Sequence, residues 1–95
     1  LKLNFTPQAH DDLAAIRNWI TQDNELAADR VIARIVQSAM IFGQFPMLGR
    51  IGAIEGTREF SIVGLPYLIV YRIEETVNEI DILTIIHTRR RYPPI

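Results

Sequence analysis

The chain contains no cysteine, one lysine (Lys2) and only two histidines, His10 and His87. Without cysteine there is neither a disulfide framework nor a thiolate zinc site, which agrees with a reducing compartment. Two histidines are too few for a metal cluster, so no metal and no cofactor are expected. With one lysine and a net charge of −1, the chain has little general attraction for ribosomal RNA or duplex DNA. No apolar run approaches the roughly 18 residues that a membrane span needs, and no basic-then-apolar leader opens the sequence. Cytoplasmic residence with no membrane partner is the resulting expectation.

What is present is enough for one folded unit. The 95 residues, 48% of them hydrophobic, fit a single domain spanning 1–95 with room for one core and one site. The charge is segregated: residues 87–95 hold three arginines and no acid, while the other 86 residues carry seven basic and eleven acidic groups, a net of −4. A basic arm on a mildly acidic body points to an anionic partner for the arm, either nucleic acid or an acidic peptide.

That arm follows the most informative stretch, Glu79 to Pro94. Its first half alternates β-branched and polar residues and predicts a strand over about Val77 to His87. By the two-residue period, Ile80, Ile82 and Ile86 share one face, and Asp81, Leu83, Ile85 and His87 the other. If the isoleucines face the core, His87 faces away from it. Pro93 and Pro94 cannot donate to a ladder and leave the tail as an exposed arm.

The earlier residues complete the pattern. Leu1, Leu3 and Phe5 alternate with Lys2 and Asn4, as in a half-buried strand. Thr6-Pro7 offers an N-cap and a first helical residue, with Asp11 and Asp12 near the positive end of the macrodipole. A helix over about Pro7 to Gln22 follows, its stripe Ala9, Leu13, Ile16, Ile20 facing the core and Trp19 at the border. After a break at Asp23-Asn24, a second helix carries Ala28, Val31, Ile32, Ile35, Val36, Ala39 and Met40, with Gly43 as its C′ residue. Residues 45–56 show no period and predict a structured loop. Strands over about Arg58–Val63 and Tyr67–Ile73 precede the last one. The order β-α-α-β-β-β predicts an α+β fold, with a helical hairpin packed on one face of a small, mainly antiparallel sheet.

Six segments in this order resemble the ParE branch of the ParE/RelE superfamily of type II toxin–antitoxin toxins, also called plasmid stabilisation proteins. They are Ala9-x-x-Asp12-Leu13-x-x-Ile16, Ala27-Ala28-Asp29-Arg30-Val31, Phe45-Pro46-x-Leu48-Gly49-Arg50, Gly56-Thr57-Arg58-Glu59, Tyr67-Leu68-Ile69-Val70-Tyr71-Arg72 and Ile85-Ile86-His87-x-Arg89. The resemblance implies the fold just derived, a bacterial cytoplasmic role and a ParD-like antitoxin that folds on the toxin and carries the complex to operator DNA. ParE-like members are associated with poisoning of DNA gyrase, and RelE-like members with ribosome-dependent cleavage of messenger RNA. RelE-like toxins tend to have an arginine directly after the tyrosine of the third strand, where this chain has Leu68.

The expectation is therefore a toxin that acts by binding rather than as an enzyme, with gyrase as its target. The target-binding cluster is His87, Arg89, Arg90, Arg91 and Tyr92, since adjacent guanidiniums repel one another unless an anion relieves them. Antitoxin contacts are expected from Arg17, Trp19, Arg30 and Arg34 beside the apolar face of the hairpin. The alternative is an endoribonuclease using His87, Arg58, Arg89 and Tyr92 as base, cations and acid. A second alternative is a non-toxic family member acting only in antitoxin binding and autoregulation. Arg50 and Arg58 otherwise suit bracing of carbonyls or a carboxylate, and Tyr67 and Tyr71 suit packing on one strand face.

Overall fold

The computed structural model describes residues 1–93. Pro94, which shares with Pro93 the expected role of ending the last strand, lies outside the described residues. The alternating opening forms β1 (Lys2–Phe5), and Thr6 ends it by capping α1 (Pro7–Thr21). The Thr6 hydroxyl accepts from the Ala9 N–H at 3.1 Å, and Pro7 occupies the first turn, where its missing donor is harmless. Asn24 caps α2 (Glu25–Ile41) in the same way, accepting from the Ala27 N–H at 3.1 Å. No helix among the described residues is long and apolar enough to cross a membrane.

The core face of the hairpin mixes small and large residues. Ala9, Ala28, Ile35 and Ala39 are wholly buried, whereas Leu13, Ile16, Ile20 and Val31, expected in the core, are only half-buried. Leu13, Ile16, Val31 and Ile32 pack against the buried cluster that Ala9, Ile35 and Ala39 enter. Trp19, expected at the core border, is 73% exposed. Gly43 also differs from expectation, since it does not end α2 in a left-handed conformation. A Cβ there would lie 3.2 Å from Leu1 O and 3.3 Å from the Leu3 side chain, so a side chain would press on the start of the chain where it passes the end of α2.

The remaining elements are β2 (Arg50–Ile51), β3 (Arg58–Ser61), β4 (Tyr67–Glu74) and β5 (Glu79–His87). They form one sheet in the order β1-β5-β4-β3-β2, with β1 parallel to β5 and every other pair antiparallel. This is the α+β arrangement the sequence predicts, with β2 added at the edge. Two exposed residues are too short to show a period, so β2 is not visible as a strand in the sequence. Residues 75–77 form a single 3₁₀ turn and Asn78 adopts φ 55°, which delays β5 to Glu79.

The register between β4 and β5 decides which side chains face the hairpin. Ile80 pairs with Ile73 and Ile82 with Tyr71, but Thr84 then pairs with Val70, leaving Leu83 as an extra residue in a β-bulge. Beyond the bulge Ile85 pairs with Ile69 and His87 with Tyr67. Directly paired residues share a face, so Ile85 and His87 lie on the same side as Ile80 and Ile82, facing the helices, and Ile86 lies on the other. The expected alternation is therefore inverted at the end of β5.

Aromatic packing closes the opposite end of the core. Phe42 stacks on Tyr71 with centroids 4.1 Å apart and meets Phe60 edge-on at 5.5 Å. The Tyr71 hydroxyl donates to Pro46 O at 2.7 Å and accepts from the Gly49 N–H at 2.8 Å, tying the loop after α2 to β4. Gly49 has no room for a side chain, since a Cβ would stand 2.8 Å from the Tyr71 ring.

Candidate functional site

The inverted end of β5 opens onto a groove of about 500 Å³ beside α1. Ile16, Ile85 and Tyr67 give it an apolar floor, Ala15 and Trp19 form the helical wall, and His87, Arg89 and Arg90 stand on the strand side. Asp12 contributes its one carboxylate. The lining is thus apolar below and cationic at one margin.

Backbone contacts fix that margin. Where β5 ends, the Thr88 N–H donates to Pro66 O at 2.8 Å and the Arg90 N–H donates to His87 O at 2.9 Å, so the chain turns at once. The Arg89 N–H donates to His87 Nδ1 at 3.1 Å, which makes Nε2 the protonated nitrogen of the neutral ring and leaves it as a donor. The His87 ring stands edge-on to Tyr67, and burial pushes the Tyr67 hydroxyl above its ordinary value.

The rest of the expected target-binding cluster is not gathered here. Arg91 is exposed outside the groove lining. Tyr92 is half-buried, and its hydroxyl is pushed up by burial first and by the Glu59 carboxylate second. Glu59 pairs with Val70, on the sheet face away from the helices. Tyr92 is accordingly packed within electrostatic reach of Glu59 and outside the groove lining, not carried on a free arm.

Nor does the fold assemble the four residues considered for nucleolytic chemistry. Arg58 pairs with Tyr71 and donates to Gly49 O at 2.6 Å, which is the bracing role expected of it. His87 pairs with Tyr67, four residues along β4, or about 13 Å at roughly 3.3 Å per residue. His87 and Arg89 share the groove, Arg58 holds the loop, and Tyr92 lies outside the groove lining.

The expected antitoxin contacts are dispersed as well. Arg17 pairs with Asp29 across the two helices, and Arg34 donates to Val63 O at 2.6 Å, tying α2 to the β3–β4 connection. Arg30 is exposed on α2, and Trp19 stands in the groove beside His87. Arg50 donates to the Glu59 carboxylate at 3.1 Å. Among the described residues no group of three or more His, Asp or Glu side chains is arranged to hold a metal.

Sequence reasoning misses Asp12, Tyr67 and Ile85 as groove residues. Asp12 reads as a macrodipole residue, yet its Oδ2 accepts from the Ile85 N–H at 3.0 Å and from the Thr84 hydroxyl. A carboxylate in a helix and its strand donors 72 and 73 residues later carry no joint pattern in sequence.

Comparison with known proteins agrees with this architecture. Y4kP of Sinorhizobium fredii is 34% identical over 94 residues, spanning 99% of this chain and 95% of that protein. Toxin RelE2 of Caulobacter vibrioides is 35% identical over 86 residues, spanning 90% of this chain and 93% of its own length. Among solved structures, a chain of the chromosomal ParDE toxin–antitoxin system from P. aeruginosa superposes with a TM-score of 0.83 at 24% identity, covering 94% of this chain and 97% of that one. The RelBE2 toxin–antitoxin complex of Mycobacterium tuberculosis contains a chain with a TM-score of 0.69 at 23% identity, covering 90% and 95% respectively. The family model for the ParE toxin of the type II toxin–antitoxin system parDE matches residues 3–92. With that match over nearly its whole length, the chain belongs to the toxin family the model describes, within the RelE/ParE superfamily of type II toxin–antitoxin toxins.

Proposed function

We propose that this toxin is ParE-like and acts by binding, with DNA gyrase as its target and a ParD-like antitoxin as its inhibitor. The observation that carries the reading is the separation of Arg58 from His87. A ribonuclease needs a base near the 2′-OH, cations on the phosphate and an acid at the leaving oxygen, all within hydrogen-bond reach of one substrate. Arg58 is spent on Gly49 O at the far end of β4, and Tyr92 does not line the groove that holds His87 and Arg89. What remains together, His87, Arg89 and Arg90 above an apolar floor, suits recognition of a protein surface carrying acidic groups.

The antitoxin reading rests on the hairpin. Leu26, Met40 and Trp19 on its two helices are 67%, 63% and 73% exposed, apolar side chains left for a partner to cover. An amphipathic antitoxin helix with an acidic flank covers such residues and finds Arg30 at its margin.

The alternative is the RelE-like one, cleavage of messenger RNA on the ribosome, and the similarity to a protein named toxin RelE2 is the observation on its side. Purified protein in a gyrase supercoiling and cleavage assay, beside a translation-coupled messenger cleavage assay, separates the two. Relaxed or cleaved plasmid with intact message is the expected result. Cleaved message with normal supercoiling overturns the proposal, and inactivity in both assays assigns the protein to antitoxin binding and autoregulation alone.

A further inference from the structure

The bulge that places His87 in the groove is held from the first helix and its cap. The Thr6 N–H donates to Ile82 O at 3.1 Å, and the Thr6 hydroxyl donates to Leu83 O at 2.9 Å. Asp12 takes up the other side: Oδ2 accepts from the Ile85 N–H and the Thr84 hydroxyl, while Oδ1 accepts from the Gln8 side chain at 2.8 Å. A bulge takes backbone groups out of the ladder, and these contacts supply them with partners.

The apolar pattern of β5 does not choose the register by itself. In the bulged register Ile85 stands against Ile69 and His87 against Tyr67, whereas without the bulge Thr84 and Ile86 would take those two places, so each register sets one isoleucine and one polar residue against the core. A one-residue slip flips every following side chain to the other face, and register is weakly specified where both faces are apolar. The carboxylate breaks that tie. In the bulged register the Ile85 N–H and the Thr84 hydroxyl both reach Asp12, and a half-buried carboxylate accepting three hydrogen bonds holds strongly to that arrangement.

We propose that Asp12 is the positioning residue of the groove: by holding the β5 bulge in register it sets His87, and with it Arg89 and Arg90, on the helix side of the sheet. The consequence for toxicity rests on the reading of the groove as the target-binding site. The geometric claim does not, and it is tested without any target.

The experiment is a nuclear Overhauser comparison of the wild-type chain with Asp12→Ala and Asp12→Asn. Contacts between the His87 and Tyr67 rings report the groove, and contacts between Phe42 and Tyr71 report the core at the other end of β4. Asp12→Ala is expected to lose the His87–Tyr67 contacts and keep the Phe42–Tyr71 contacts, with Asp12→Asn losing them in part. Deleting Leu83 in the Asp12→Ala background restores an even count, so the regular ladder alone directs His87 at Tyr67 and the contacts return. Persistence of the His87–Tyr67 contacts in Asp12→Ala overturns the proposal. So does uniform loss of both sets, which assigns Asp12 to general stability, or failure of the deletion to restore them in a folded chain. A negative gyrase assay leaves these contacts unaffected, so the two readings fail separately.

Discussion

His87 and Tyr67 face each other directly across β5 and β4, their ring centroids 5.4 Å apart and their planes at 83°. The pair sits where an apolar floor meets a cationic margin, so His87 is both packed and available as a donor through Nε2. Its replacement separates the two mechanisms. In a binding toxin His87→Ala removes contact energy, raising the concentration needed for gyrase inhibition while the folded state persists. In a ribonuclease it lowers the cleavage rate by about 10² to 10⁴ with target binding kept. Dose–response curves for supercoiling and single-turnover cleavage of message decide between them.

The three consecutive arginines are not equivalent. Arg89 and Arg90 line the groove and Arg91 does not. Arg89→Ala and Arg90→Ala are each expected to weaken toxicity at equal expression, and Arg91→Ala to have the smallest effect. All three side chains are exposed, so melting temperatures should change little. Equal loss from all three substitutions makes the tail a diffuse charge rather than part of a shaped site.

Tyr71 links stability to alkaline pH. Burial raises its hydroxyl above the ordinary 10.0, against smaller lowering effects from the Gly49 N–H and the Arg58 charge. Below about pH 10 the group is protonated in both states and its contribution is whole. As pH rises through the folded value, the unfolded chain has already released its proton and stability falls. Tyr71→Phe removes this part of the alkaline decline. At neutral pH it costs about 1 to 3 kcal/mol, because Pro46 O and the Gly49 N–H lose their partner. Urea unfolding from pH 7 to 11 measures both effects.

Core truncations should rank by burial. Ile35→Ala, at a wholly buried site, is expected to cost about 2 to 5 kcal/mol, and Leu13→Ala, at a half-buried one, less than about 2 kcal/mol. Arg17→Ala should cost under about 1 kcal/mol, since its pair with Asp29 is exposed on both sides. Chemical denaturation of the three variants gives the order directly.

Much of the fold was legible in local chemistry. Thr6-Pro7 and the break at Asp23-Asn24 mark both helix starts because a side-chain oxygen must meet orphan N–H groups there, and Thr6 and Asn24 supply it. Alternation marks β1 and most of β5 because a half-buried strand exposes every second residue, while β4 reads as a continuous apolar run because its first five residues are buried on both faces. The short β2 and the conformation of Gly43 were not legible, since each depends on what lies against it.

The candidate site divides along the same line. The sequence by itself determined which residues could form a cationic margin, because Arg89, Arg90 and Arg91 are adjacent and follow a strand. It also determined that His87 would stand near them. Only the tertiary structure decided the side of the sheet on which they emerge and the apolar wall they meet. Strand parity is a count, and one extra residue reverses it. That residue is Leu83, and the groups that hold it out of the count, Thr6 and Asp12, lie on the far side of the chain, where only folding brings them within hydrogen-bond distance.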